Sequence, residues 1–114
     1  MIKVYGIKNC DSVKKALKFL KQHDLAYELH DFKTDPVGCD KVEKWAKSVE
    51  MKQLCNTRGT TYRTLKLKEL NLNDEQKLQW LCKENMLIKR PVIEYTQQKI
   101  LVGFDEGHYN EELL

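Results

Sequence analysis

The spacing of apolar positions changes several times along the chain, and each change marks an element. Ile2 to Ile7 is a short apolar run centred on Val4, ending at Gly6 and Asn9, which predicts a buried strand entering a turn. Val13, Ala16, Leu17 and Leu20 then recur at helical spacing with lysines opposite them. That helix is expected to start near Asp11 or Ser12 and to end near His23. Tyr27 to Phe32 alternates and reads as a second strand. Thr34 to Gly38 is rich in breakers and reads as a loop. Asp40 followed by Glu43 opens another helix, whose apolar stripe is Val42, Trp45, Ala46 and Val49. A short helical piece from Met51 to Cys55 precedes a polar loop, Asn56 to Thr61, and Tyr62 to Leu70 has helical character. Asn73, followed by Asp74, Glu75 and Gln76, is a cap for a helix carrying Leu78, Leu81 and Cys82 to about Asn85. The chain then changes in kind. Pro91 to Tyr95 and Lys99 to Gly103 read as a hairpin turning at Gln97 and Gln98, and Asp105 opens a last helix that uses Tyr109 and Leu113.

The resulting order is β-α-β, a helical block over about 39–86, then β-β-α. Neither strand-bearing half can build a core alone, so 1–114 reads as one domain. The expected fold class is α/β, a four-stranded mixed sheet with flanking helices. β-α-β followed by β-β-α is the thioredoxin topology, here with a helical insert. No internal repeat and no low-complexity segment interrupts it.

Composition narrows the function classes. Net charge is +3, from 20 basic and 17 acidic residues, and the two signs are interleaved, which argues against direct nucleic-acid binding. The one local excess, Lys14, Lys15, Lys18 and Lys21, falls on the outer face of the first helix and reads as a solvated face. No stretch reaches the roughly 18 apolar residues of a membrane helix. The opening MIKVYGIKNC lacks an apolar export region, so a cytoplasmic location is expected. There the four cysteines, Cys10, Cys39, Cys55 and Cys82, are expected to stay reduced. Without a C-x-x-C pair, and with His23, His30 and His108 scattered, no metal site is expected. Cys39, Cys55 and Cys82 read as inert buried thiols or as simply surface-exposed ones, with Cys82 on an apolar helix stripe and hence expected in the core.

Cys10 differs by position. It stands where the first strand hands over to the first helix, where free backbone N–H groups and the helix dipole favour negative charge. A thiolate is the nucleophilic form of cysteine. Lys8 and Lys14 add positive potential, and Asp11 opposes it. Lys89-Arg90-Pro91 directly precedes the hairpin. In thioredoxin folds that strand begins with a cis-proline opposite the reactive cysteine, which makes Pro91 the candidate and puts Arg90 beside the thiol, able to hold an anion through paired hydrogen bonds. In the loop NTRGTTYR, Asn56, Thr57, Arg58 and Thr60 are polar, Gly59 permits a tight turn, and Arg58 and Arg63 are candidates for binding an anionic group. A capped turn with exposed arginines is the equally simple alternative.

YGIKNCDSVKKA, LCNTRGTTYR, IKRPVI and ILVGF resemble the arsenate reductase-like family, which also holds the Spx regulators and the YffB-like proteins. The resemblance runs from Ile2 to about Leu113 and is strongest to the YffB-like branch. It implies a thioredoxin-like fold with a helical insert, Cys10 as the reactive thiol, and Arg90 and Pro91 in its site. Asn9, Asn56, Thr57 and Arg58 are the accompanying substrate-binding candidates. It implies a thiol–disulfide reductase with glutathione as cosubstrate and no bound cofactor. Arsenate reductases of this family hold the oxyanion with three arginines. Here Arg90 matches, whereas Asn56 and Gly103 stand where the other two belong, which argues against arsenate as substrate. Many Spx regulators carry C-x-x-C and bind RNA polymerase. Here Val13 takes the second cysteine's place, and a polymerase-binding role is the alternative reading. A disulfide from Cys10 to Cys39, Cys55 or Cys82 stays open at this point.

Overall fold

The structure is a computed structural model and describes residues 2–96 and 99–114. The turn expected at Gln97 and Gln98 lies outside the described residues. Four strands, β1 (Ile2–Gly6), β2 (Tyr27–Asp31), β3 (Val92–Glu94) and β4 (Ile100–Val102), form one mixed sheet in the order β2-β1-β3-β4. β1 runs parallel to β2 in the register Val4 to Leu29 and antiparallel to β3 in the register Tyr5 to Val92. β3 pairs antiparallel with β4, Ile93 opposite Leu101. The chain thus has the mixed α/β, thioredoxin-like architecture expected from its element order.

The chain divides into two compact units, Met1–Pro36 with Arg90–Leu114, and Val37–Lys89. The first unit holds the sheet, α1 (Asp11–Gln22) and α6 (Glu106–Leu113). Its core follows from the alternation of β1 and the helical spacing of α1. Val4, Ala16, Phe19, Leu20, Ile93, Leu101 and Tyr109 are buried together on one face of the sheet. Phe19 and Tyr109 meet edge to face, with ring centres 5.4 Å apart, so α1 and α6 lock onto one another over the strands. Asp105 caps α6 by accepting from the His108 N–H at 3.1 Å.

The second unit is helical. It comprises α2 (Cys39–Ser48), α3 (Met51–Leu54), α4 (Thr60–Thr64) and α5 (Asp74–Lys83), with 3-10 turns at Leu67–Leu70 and Asn85–Leu87. α5 opens on a capping box: the Asn73 carboxamide accepts from the Gln76 N–H, and the Gln76 side chain accepts from the Asn73 N–H. Val42 and Trp45 of α2 and Leu81 of α5 are almost fully buried where the two helices pack. The helical tendency of 62–70 resolves into two pieces. Lys66 adopts a left-handed conformation, φ 55°, that re-aims the chain, so Leu67 is buried while Leu65 and Leu70 stay exposed.

The expectation of four free thiols needs correction. Cys39 and Cys82 form a disulfide between the first residue of α2 and the last turn of α5, and Cys82 is half-buried rather than a core thiol. Cys10 and Cys55 are free. The physical reason is packing that local spacing does not reveal. The Asn85 carboxamide accepts from the Val37 N–H at 2.8 Å and donates to the Leu81 carbonyl at 3.0 Å. It thereby ties the approach to α2 onto the end of α5.

Candidate active site

Cys10 is the N-cap residue of α1. Its backbone is extended, with φ −136° and ψ 125°, and its carbonyl accepts from the Lys14 N–H at 2.9 Å. No side-chain capping bond is made, so the first-turn N–H groups face the Cys10 side without a side-chain partner of that kind. The thiol is half-buried, and Lys8, Asn9, Asp11 and Lys14 around it are exposed.

Gly6, at the end of β1, fixes how closely the elements approach. A Cβ placed there would lie 2.6 Å from Val13 Cγ2 and 3.8 Å from Arg90 Cβ. Val13 is fully buried and, being β-branched, stiff at χ1, so only a residue without a side chain fits. This close packing puts the start of α1 and Arg90 against the same end of β1. The antiparallel register agrees, because Val92 lies opposite Tyr5 and Arg90 therefore continues beside the segment leaving β1. Arg90 is half-buried with its Nε enclosed, the Arg90–Pro91 peptide bond is cis, and Pro91 is buried. Cys10, Arg90 and Pro91 are thus gathered at one end of the sheet.

Gly103 has φ 80°, a left-handed conformation that favours glycine. Its N–H donates to the Pro91 carbonyl at 2.8 Å, and its own carbonyl accepts from the Tyr109 hydroxyl at 2.6 Å. An arginine at this position would be strained. Gly103 therefore supports Pro91 through the backbone rather than through a side chain.

The loop candidates belong to the second unit. The Asn56 N–H donates to the Leu87 carbonyl at 2.8 Å, and the Asn56 carbonyl accepts from the Gly59 N–H at 3.4 Å, which closes the turn before α4. Thr57, Arg58 and Arg63 are exposed. Cys55, just before the loop, is buried and pairs by backbone bridge with Ile88. Burial pushes its thiol up, with Lys77 opposing, which suits a structural thiol. Among the described residues no His, Cys, Asp and Glu cluster of three or more could hold a metal ion.

Sequence reasoning missed three supporting residues: Gly6, Gly103 and Tyr109 as a hydrogen-bond donor. It also missed Tyr5, which stacks on His30 with ring centres 4.8 Å apart and donates to Glu94 Oε1 at 3.1 Å. Burial, reinforced by the Glu94 charge, holds the Tyr5 phenol well above its usual range. The signal for Gly6 was present in its position between an apolar strand and a helix. Gly103 and Tyr5 depend on partners far along the chain.

A cysteine at the N-cap position of the first helix, an arginine and cis-proline leading into the third strand, and a helical block between them in sequence mark a thioredoxin-like domain. The chain belongs to the ArsC family, whose sequence profile matches residues 5–112. It is similar to an uncharacterised protein of Haemophilus influenzae, at 41% identity over 96% of each chain. The solved structure of the protein YffB superposes with a TM-score of 0.90 at 31% identity, over 100% of both chains. The global transcriptional regulator Spx of Listeria innocua is 25% identical over 93% of this chain and 82% of its own length. No helix among the described residues is long and apolar enough to cross a membrane.

Proposed function

We propose that this protein is a monothiol reductase working through Cys10. The Cys10 thiolate attacks one sulfur of a disulfide substrate. A Cys10–substrate mixed disulfide forms, and the second substrate sulfur leaves as a thiolate and takes a proton. A glutathione thiolate then attacks the substrate sulfur of the mixed disulfide and releases Cys10. Arg90 steadies the thiolate or a carboxylate of the incoming thiol through charged hydrogen bonds. Asn9 and Pro91 border the reacting sulfur. The observation that carries this reading is the placement of a free, half-buried Cys10 at the uncapped start of α1, at the sheet end shared with Arg90.

The need for an external thiol has a structural counterpart. Val13, where a C-x-x-C partner would stand, is fully buried against Gly6, so Cys10 has no local partner in its own turn. Arsenate is disfavoured as substrate, since Gly103 is committed to the backbone support of Pro91 and Asn56 to its turn. Each missing charged hydrogen bond removes about 1.5–3 kcal/mol. The Spx similarity supports a second reading, in which the chain binds RNA polymerase; retention of polymerase by the tagged protein would favour it.

The test is glutathione-coupled reduction of a low-molecular-weight disulfide. Cys10→Ser is expected to remove most of the turnover, and Arg90→Ala to lower kcat/KM by about one to two orders of magnitude, the range set by one charged hydrogen bond. Full turnover in Cys10→Ser would refute the assignment.

A further inference from the structure

Cys39 and Cys82 lie outside the machinery assigned to Cys10, in the helical unit. We propose that they are a second, reversible thiol–disulfide centre, opened by a small peptide-like thiol that carries a carboxylate. Three observations support this.

The first is accessibility. Cys39 is an exposed residue at the start of α2, while Cys82 is half-buried, so Cys39 is the more open end of the bond. The second is the groove the disulfide borders. Its walls include Leu70, Leu72, Gln76, Trp80 and Lys83. Leu70 is 56% exposed, and Lys83 Nζ sits 5.4 Å from the centre of the Trp80 ring. An apolar wall with a cation at its edge suits a short peptide-like thiol, the carboxylate meeting Lys83. The third is redundancy. The Asn85 bonds to Val37 and Leu81, and the buried contacts of Val42, Trp45 and Leu81, hold α2 on α5 without any sulfur. Reduction therefore leaves the helices packed and the two thiols adjacent. Adjacent thiols re-form a disulfide with high effective concentration.

The chemistry balances as ordinary exchange. An external thiolate attacks Cys39 Sγ; the Cys39–Cys82 bond breaks and Cys82 departs as a thiolate that takes a proton. A second external thiolate attacks the external sulfur of the mixed disulfide, releasing Cys39 as a thiolate that is also protonated. Two electrons reduce the pair, and the external thiol leaves as its own disulfide. An oxidised small disulfide reverses both steps.

The experiment uses Cys10→Ser/Cys55→Ala, so only this pair can react and failure of the Cys10 reading leaves the result untouched. The protein is equilibrated in mixtures of reduced and oxidised glutathione, and free thiols are counted by maleimide labelling while far-ultraviolet circular dichroism follows the helices. The expected result is a reversible passage between two free thiols and none, both changing together, with unchanged helix content. Adding Cys82→Ser should trap one glutathione on Cys39, and adding Lys83→Glu should slow that capture several-fold. Three outcomes would overturn the proposal: thiols that never pair at any glutathione ratio, a disulfide that opens only on denaturation, or helices that melt when it opens.

Discussion

Gly6 shows how much of the site rests on a residue without a side chain. A methyl group there would meet Val13 Cγ2 at 2.6 Å, inside a contact that also positions Arg90. Gly6→Ala is expected to cost about 1–3 kcal/mol, the usual range for overpacking a tight core, and chemical denaturation measures it. The same change should slow Cys10 chemistry in the fraction that remains folded, because the start of α1 and Arg90 move apart. Tyr109 makes the complementary case. Its hydroxyl satisfies the Gly103 carbonyl, so Tyr109→Phe leaves that buried acceptor unpaired at a cost of about 1–3 kcal/mol. Burial, with the Asp105 charge, raises the Tyr109 phenol, as burial and Glu94 raise that of Tyr5. A phenol raised in the folded state contributes stability that is fully present below its unfolded value of about 10 and is lost as pH rises through the folded value. Urea midpoints should therefore fall from about pH 10 upward, and fall less steeply in Tyr109→Phe. An identical slope in the variant would contradict this account of Tyr109.

At the scale of elements, legibility tracked how local the cause was. The bounds of α1 followed from a continuous apolar stripe, and Asn73 with Gln76 announced α5 through a capping box that the structure contains. Asn73→Ala should destabilise the protein by about 1 kcal/mol, readable as a lowered denaturation midpoint, and Gln76→Ala by less, since only its half of the box is lost. The segment after Arg58 was less legible. Its apolar residues permit a longer helix, but the left-handed turn at Lys66 divides it, and that turn follows from burying Leu67, a tertiary demand. The hairpin was legible as two strands, β3 and β4. The structural task of Gly103 within it was not, because it depends on Pro91 and Tyr109 together.

At the scale of the molecule, the order of strands and helices sufficed for the thioredoxin-like topology, because a β-α-β start and a β-β-α end leave few ways to close one mixed sheet. What the order could not supply was which cysteines meet. Cys39 and Cys82 are 43 residues apart, and their pairing follows from Asn85 and from helix packing rather than from spacing. The placement of Cys10 at the start of α1, and of Arg90 and Pro91 just before β3, was legible from the element order. The loop residues Asn56, Thr57 and Arg58 were legible as a polar turn.

Cys10, helped by Arg90, is the proposed working thiol. The most direct measurement is the rate at which oxidised glutathione forms a mixed disulfide at each cysteine, read by peptide mass mapping at short times, in the native protein and in Arg90→Ala. The account predicts that Cys10 is modified well ahead of Cys55 and that Arg90→Ala slows Cys10 by about tenfold or more. Modification of Cys55 first, or a Cys10 rate indifferent to Arg90, would contradict it.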